Sequence, residues 1–267
     1  MVRIYRYWES SPHYTTDMHT HEEHELYFLL SGQRRYFIQH SIYDLSPGSL
    51  VIIPKGVLHK TVSYNQQGFD RFVLFFSDED LSSLQDSLGH HAYRQLIECG
   101  CLQLPAEILR TVSTQLEQML QEFHTQPPQH QLYLRTQLTL LLLTALRSGI
   151  SQPMCSESTA EKIQAVARYI NIHFSSPITL HDGAQMACLE DTYFSKQFKH
   201  FTGFCFSEYL TSVRLREAQR LLQTTKLSVG EISDLCGFSG SNYFGDIFKR
   251  YTGSSPSAYR KESQKRC

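Results

Sequence analysis

No stretch of the sequence stays apolar for the roughly 20 residues that a bilayer-spanning helix needs. The longest apolar run, LTLLLLTAL at 138–146, fits a buried helix, so no membrane partner is expected. The opening residues MVRIYRYWESSPHY lack a basic start followed by an apolar block, which speaks against a secretory signal. No C-x-x-C pair occurs among the seven cysteines at 99, 101, 155, 188, 205, 236 and 267. Their odd number and scatter argue against a disulfide framework or a structural zinc site, and reduced thiols in a cytoplasm are expected. A dominant charge is missing too: the formal net charge is −1.

What is present is an ordinary globular composition. The chain has 267 residues, 41% hydrophobic and 19% charged, enough for one or two domains with a buried core. Residues 1–156 carry 11 Lys/Arg against 15 Asp/Glu, and residues 157–267 carry 14 against 11. Ten of the 13 histidines lie in the first part. An acidic, histidine-rich front and a mildly basic back suggest two separate jobs.

The front reads as short strands over 19–76. ELYFLL, RRYFIQ, SLVIIP and RFVLFF are rich in aromatic and β-branched residues, and Gly32, Pro47-Gly48 and Gly56 punctuate them. That pattern is a small all-β sandwich or barrel. The period then changes. Leu109, Val112, Leu116, Met119 and Phe123 recur at spacings of three and four, which predicts an amphipathic helix over 106–125. Pro127-Pro128 ends it, and a second helix follows at about 131–147. The two form a hairpin that either packs on the chain's own barrel or pairs two subunits into a homodimer through those five apolar residues. SGISQPMCSEST, 148–159, is small and polar and reads as a linker.

The back contains a repeat. YFSKQFKHFTG at 193–203 matches YFGDIFKRYTG at 243–253, and Ser207 and Tyr209 then match Ser257 and Tyr259, all offset by 50 residues. Phe194, Phe198 and Phe201 form one face of a helix, as do Phe244, Phe248 and Tyr251. Gly203 and Gly253 stand where a helix C-terminus accepts positive φ. Thr192, Ser195, Lys196 and Lys199 make the opposite face of the first copy, and Asn242, Gly245, Asp246 and Lys249 that of the second. A short helix and a tight turn precede each copy, in LHDGAQMACLED and VGEISDLCGFSG. Short helix, turn, second helix with an exposed polar face is the helix-turn-helix plan. The helix-like segment at 207–225 joins the copies, so that two recognition helices can enter successive major grooves about 34 Å apart. A helical bundle with polar outer faces explains one copy but not two.

EISDLCGFSGSNYFGDIFKRYTGSSPSAYR at 231–260, with LREAQRLL before it, resembles the signature of the AraC-type transcriptional regulators. The resemblance implies an all-α domain that binds double-stranded DNA through two helix-turn-helix motifs. It places base reading on Asp191, Thr192, Ser195 and Lys196 in the first motif and on Asn242, Gly245 and Asp246 in the second. Lys199, Lys249, Arg250 and Arg260 are the candidates for phosphate contacts, which give affinity without sequence information. Three residues depart from the pattern. Asp246 stands where the family usually has a basic residue, Gly245 weakens its helix, and Cys188 occupies a turn position that is usually glycine. The first motif is therefore expected to carry more of the sequence specificity.

The front then acquires meaning. In HTHEEHELYFLLSG, 19–32, His19, His21 and Glu25 precede Gly32, and GSLVIIPKGVLHKTVS, 48–63, supplies Gly48, Pro54, Gly56 and His59. The pair resembles the two cupin motifs, with Ser63 where asparagine is common. In metal-binding cupins such positions are ligands, so the resemblance implies a possible transition-metal cofactor on His19, His21, Glu25 and His59. The alternative is an organic effector, a sugar or related polar metabolite, hydrogen-bonded by the same residues with Tyr27 stacked on the ring. His24 should face the other way, packed or exposed. Residues 5–18 read as a frayed first strand or as an arm closing over the pocket.

The expected organisation is a cupin-like effector barrel at 1–105, a hairpin at 106–148, a linker at 149–160 and the double helix-turn-helix domain at 161–267. The function that follows is sequence-specific transcription regulation without catalysis, with DNA, a small-molecule effector, a second copy of the chain and RNA polymerase as partners. A cupin enzyme with an accessory helical domain is the competing class, and a barrel with a purely structural role is a third reading.

Overall fold

The structure, a computed structural model, describes residues 1–9, 22–63, 68–98 and 100–266. It divides into two units, Met1–Glu157 and Ser158–Cys267.

The first unit is built on two antiparallel sheets. The larger contains β1 (Arg3–Glu9), β2 (His24–Ser31), β5 (Ser49–Ile53), β7 (Phe69–Phe76), β8 (Cys101–Gln103) and β9 (Ile150–Ser151), in the order β1-β7-β2-β5-β8-β9. The smaller has β3 (Arg34–Ile38) between β4 (Ser41–Leu45) and β6 (His59–Ser63). Side chains alternate across a strand, so each strand of the larger sheet serves two cores. Leu26 and Phe28 of β2 join Leu50, Ile52, Phe72 and Leu74 on the face that meets helices. Tyr27 and Leu29 point the other way, toward Tyr36, Ile38 and Leu45 of the smaller sheet. β1 pairs with β7 from Arg3↔Phe75 to Glu9↔Phe69, so residues 5–9 are strand and not an arm; 10–18 lie outside the described residues.

Helices α1 (Ser82–Leu88) and α2 (His90–Ile97) interrupt the stretch read as barrel. The hairpin follows as α3 (Ala106–Thr125) and α4 (His130–Ser148), with Gln126 and Gln129 at positive φ on either side of the two prolines. Of the two roles open to the α3 face, packing within the chain accounts for its centre. Val112, Leu116 and Met119 are at most 1% exposed, and Leu109 and Phe123 pack beside them on the chain's own sheet. Each fully buried aliphatic contributes about 1.5–3 kcal/mol. That gain is realised within the unit, so Val112, Leu116 and Met119 are spent on the chain's own core, while Leu109 and Phe123 stay half-buried at its edge. The leucines that α4 does expose are Leu132, Leu140 and Leu146.

The linker also shifts. β9 pairs with β8, the Gln152 amide donates to the Cys101 carbonyl at 2.9 Å, and the Cys155 amide donates to Ile42 at 2.7 Å. Residues 150–155 are thus tied to the first unit, and α5 (Ser158–His173) begins just beyond.

The second unit continues with α6 (Leu180–Met186), α7 (Asp191–Thr202), α8 (Phe206–Thr224), α9 (Val229–Leu235), α10 (Ser241–Thr252) and α11 (Pro256–Arg266). Reciprocal capping boxes start α6 (Thr179 with Asp182) and α9 (Ser228 with Glu231). Gly203 and Gly253 end α7 and α10 at φ 79° and 81°, with their amides on the Lys199 and Lys249 carbonyls at 2.8 Å. The 50-residue repeat is therefore a repeat of backbone geometry as well as of sequence.

Candidate effector site and nucleic-acid interface

Between the two sheets of the first unit lies a chain of buried polar and aromatic groups. Alternation along β2 brings Glu25 and Tyr27 inward, β3 adds Tyr36 and Arg34, β7 adds Phe69 and Arg71, and β6 begins with His59. The Tyr36 hydroxyl donates to Glu25 Oε1 at 3.0 Å. His59 Nε2 lies 3.4 Å from Glu25 Oε2, and His59 Nδ1 meets the Val57 carbonyl at 2.8 Å. That carbonyl holds a proton on Nδ1, so Nε2 can donate to the carboxylate only when the ring is cationic. Burial lowers the His59 pKa, but the hydrogen bond to Glu25 and its charge outweigh burial, and the net shift is upward. Burial, and then the Glu25 charge, hold the Tyr36 hydroxyl well above its ordinary value.

This predicts a pH dependence. A histidine whose folded pKa is raised contributes stability that is complete below its unfolded value, ~6.5, and is lost as pH rises through the folded value. The first unit should therefore have a lower thermal midpoint at about pH 8 than at about pH 6, with Glu25→Gln removing most of the difference. Melting curves of both proteins at the two pH values check this. An equal pH dependence in the two would refute the pairing.

Of the four residues in the possible metal set, Glu25 and His59 come together. His19 and His21 lie outside the described residues. Among the described residues, no group of three or more His, Cys, Asp or Glu forms a metal site. His24 does face the opposite way. It is buried, stacked on Phe76 at 5.3 Å, with Nε2 on Asp78 at 2.9 Å and Nδ1 accepting from the Lys55 amide at 3.2 Å. Sequence reasoning missed Arg34, Tyr36, Phe69 and Arg71. Strict alternation on RRYFI and FDRFVLFF was the available signal, since it puts Arg34 beside Tyr36 and Arg71 beside Phe69.

In the second unit, Phe194, Phe198 and Phe201 of α7 are buried, as are Phe244 and Phe248 of α10. Thr192, Lys196 and Lys199 are exposed and Ser195 is half-buried. Asn242, Asp246, Lys249 and Arg250 are exposed and Gly245 is half-buried. A Cβ on Gly245 would meet nothing within 4 Å, so packing does not require that glycine. Asp191 is already engaged: His181 Nδ1 of α6 lies 3.0 and 3.1 Å from its two carboxylate oxygens. Glu190 caps α7, accepting from the Thr192 and Tyr193 amides at 3.1 and 3.0 Å, and those bonds lower its pKa.

Arg260, expected to contact phosphate, is engaged within its own unit. Its Nη2 donates to the Leu227 carbonyl at 2.6 Å and its Nε to Leu222 at 3.3 Å, clasping the turn between α8 and α9. Arg214 does the same for the turn before α6, donating to Phe174 and Ser176, each at 2.8 Å. Satisfying these turn carbonyls is structural work that a DNA phosphate would have to disrupt.

Two family models match the chain. That of the AraC-like ligand binding domain covers residues 2–143, and a helix-turn-helix domain covers 184–262. The chain belongs to the AraC family of transcription regulators. Among its relatives is the Msm operon regulatory protein of Streptococcus mutans, 27% identical over 252 residues, spanning 91% of this chain and 86% of that protein. The HTH-type transcriptional activator RhaR of Enterobacter sp. is 28% identical over 259 residues, spanning 92% and 88%. Among solved structures, the DNA-binding domain of AdpA in complex with a target DNA is 32% identical, covering 42% of this chain and 96% of that one, with a TM-score of 0.38. As a member of the AraC family, the chain is a DNA-binding transcription regulator with a ligand-binding front unit, and not an enzyme. Among the described residues, no helix is long and apolar enough to cross a membrane.

Proposed function

We propose that the front unit senses a sugar or a closely related polar metabolite and thereby biases DNA binding by the back unit. The observation that carries this is the buried Glu25–Tyr36–His59 cluster, with its 3.0 and 3.4 Å contacts, beside the Tyr27 ring. Carboxylate, hydroxyl and imidazole groups hydrogen-bond polyols, and aromatic rings cover their apolar faces. Buried polar groups in an apolar interior are costly unless their bonds are made, so these groups select a hydrogen-bonding ligand over an apolar one. Tyr27, Tyr36 and His59 are at most 2% exposed, so an effector has to part them to enter. That movement is the two-state element through which ligand affinity can differ between arrangements of the regulator. Two copies of the chain would pair through surface other than Val112, Leu116 and Met119, which are buried.

DNA reading rests on α7 and α10, with Thr192, Ser195 and Lys196 reading bases in the first motif and Asn242 and Asp246 in the second. Lys199, Lys249 and Arg250 take phosphates. The test is fluorescence anisotropy of the full chain on an operator selected from a random duplex library. Lys196→Ala should cost about 1–3 kcal/mol on the operator and much less on scrambled duplex. Lys199→Ala should weaken both alike and lower the salt slope by about 1. Equal effects of Lys196→Ala on both duplexes would remove its base-reading role. For the effector, a panel of sugars, polyols and sugar-derived acids should contain compounds that change operator affinity in the wild type but not in Glu25→Gln. Silence across the panel would overturn the sensing role.

A further inference from the structure

We propose that His181 is a positioning residue for DNA binding: by holding the Asp191 carboxylate, it lets the acidic start of the first recognition helix approach a polyanion. This rests on the reading that α7 lies in the major groove, where the first residues of a recognition helix come nearest the bases. Three carboxylates stand at this end of the first motif. Asp182 accepts from the Thr179 amide and hydroxyl at 2.8 and 2.7 Å, and Glu190 accepts from the Thr192 and Tyr193 amides at 3.1 and 3.0 Å. Asp191 is met by a side chain instead. Both of its oxygens face His181 Nδ1, at 3.0 and 3.1 Å, although the two residues belong to different helices and both are exposed. On the other side of the ring, Gln185 Nε2 lies 2.9 Å from His181 Nε2. An amide nitrogen donates, so with the Gln185 nitrogen placed there Nε2 accepts and the ring proton sits on Nδ1, toward Asp191.

The repeat supplies a control within the molecule. His181 is the second residue of α6 and Asp191 the first of α7. The same places in the second copy are Gly230, second in α9, and Ser241, first in α10. The first turn of α10 has no acidic residue, and the place of His181 there holds a residue with no side chain to donate. The carboxylate and its partner are thus present together or absent together. A negative charge at the start of α7 suits the helix dipole, but a free carboxylate there would repel phosphates whatever the base sequence. The bond to His181 fixes Asp191 on the α6 side of the helix start, which keeps the first benefit and limits the second cost.

Fluorescence anisotropy of the full chain, on the selected operator and on scrambled duplex, tests this. His181→Ala should weaken both about fivefold, the effect of one exposed like charge beside a phosphate, and the loss should shrink as salt rises. Both side chains are exposed, so the variants should keep the fold, which circular dichroism checks. Asp191→Asn alone should bind as tightly as the wild type or slightly tighter. Added to His181→Ala, it should restore wild-type affinity, a rescue that loss of a merely structural contact would not show. Unchanged binding by His181→Ala overturns the inference. So does a double variant as weak as His181→Ala, which would make His181 itself the group that touches DNA. Lys196→Ala, measured alongside, separates this failure from a wider one. If it still weakens operator binding, α7 reads DNA and only the role of His181 falls; if it does not, the placement of α7 in the groove falls as well.

Discussion

Replacing Phe198 with alanine is expected to remove about 3–5 kcal/mol from the second unit. Phe198 is fully buried, with its ring 5.6 Å from Phe194, 5.5 Å from Phe206 and 5.6 Å from Tyr209. It therefore joins α7 to α8, and truncation leaves a cavity that three aromatic rings cannot close. Domains of this size are stable by only about 5–15 kcal/mol, so the loss is a large fraction of the total. Phe248 holds the same place in the second copy, 5.5 Å from Phe244 and 5.4 Å from Tyr259, and its truncation should cost a similar amount. Urea unfolding followed by circular dichroism would show the second unit's transition at lower denaturant and the first unit's unmoved. A loss under about 1 kcal/mol in either variant would mean that the repeated phenylalanines are not the joint between helices.

That repeat shows what sequence can carry. Period and offset are local signals, so the phenylalanine face, the glycine C-caps and the polar face of each recognition helix were all legible. The four strands with apolar runs were legible for the same reason, as β2, β3, β5 and β7. β8 and β9, with three and two residues, are too short to show any period and exist only because each pairs with a neighbour distant in sequence. The apolar stripe of α3 announced that a face is buried but not against what. Leu116 and Met119 would look the same in a subunit interface as they do against the sheet. Arg260 shows a related limit. Its partners Leu222 and Leu227 are backbone carbonyls 38 and 33 positions away, and no residue type marks a carbonyl in need of a donor. In the barrel, motif matching drew attention to His59 and Glu25 and away from the inward arginines, which fit no ligand pattern but follow from alternation alone.

The turns of the two motifs make the other large prediction. Gly237, between α9 and α10, has φ +75°, and a Cβ there would sit 2.5 Å from the Ser175 carbonyl oxygen. Cys188 holds the corresponding place between α6 and α7 at φ +51°, exposed. The two turns close alike: the Cys188 amide donates to Gln185 and the Gly237 amide to Asp234, both at 3.0 Å. A left-handed backbone costs an L-residue roughly 1–2 kcal/mol. At Cys188 that is the whole cost, because the side chain reaches solvent. Cys188→Gly should therefore gain up to about 1 kcal/mol, part of the relief being offset by glycine's larger chain entropy when unfolded. At Gly237 a side chain adds a collision with backbone that has no rotamer to yield, so Gly237→Ala should cost about 2–4 kcal/mol. It should also displace α10 relative to α9 and weaken operator binding, whereas Cys188→Gly should leave operator affinity unchanged. Denaturant midpoints of the two single variants and the double variant decide the point. Sites in separate turns should add within about 0.5 kcal/mol. If Gly237→Ala cost no more than Cys188→Gly gained, backbone conformation alone would explain both turns, and the close approach to Ser175 would have no energetic weight.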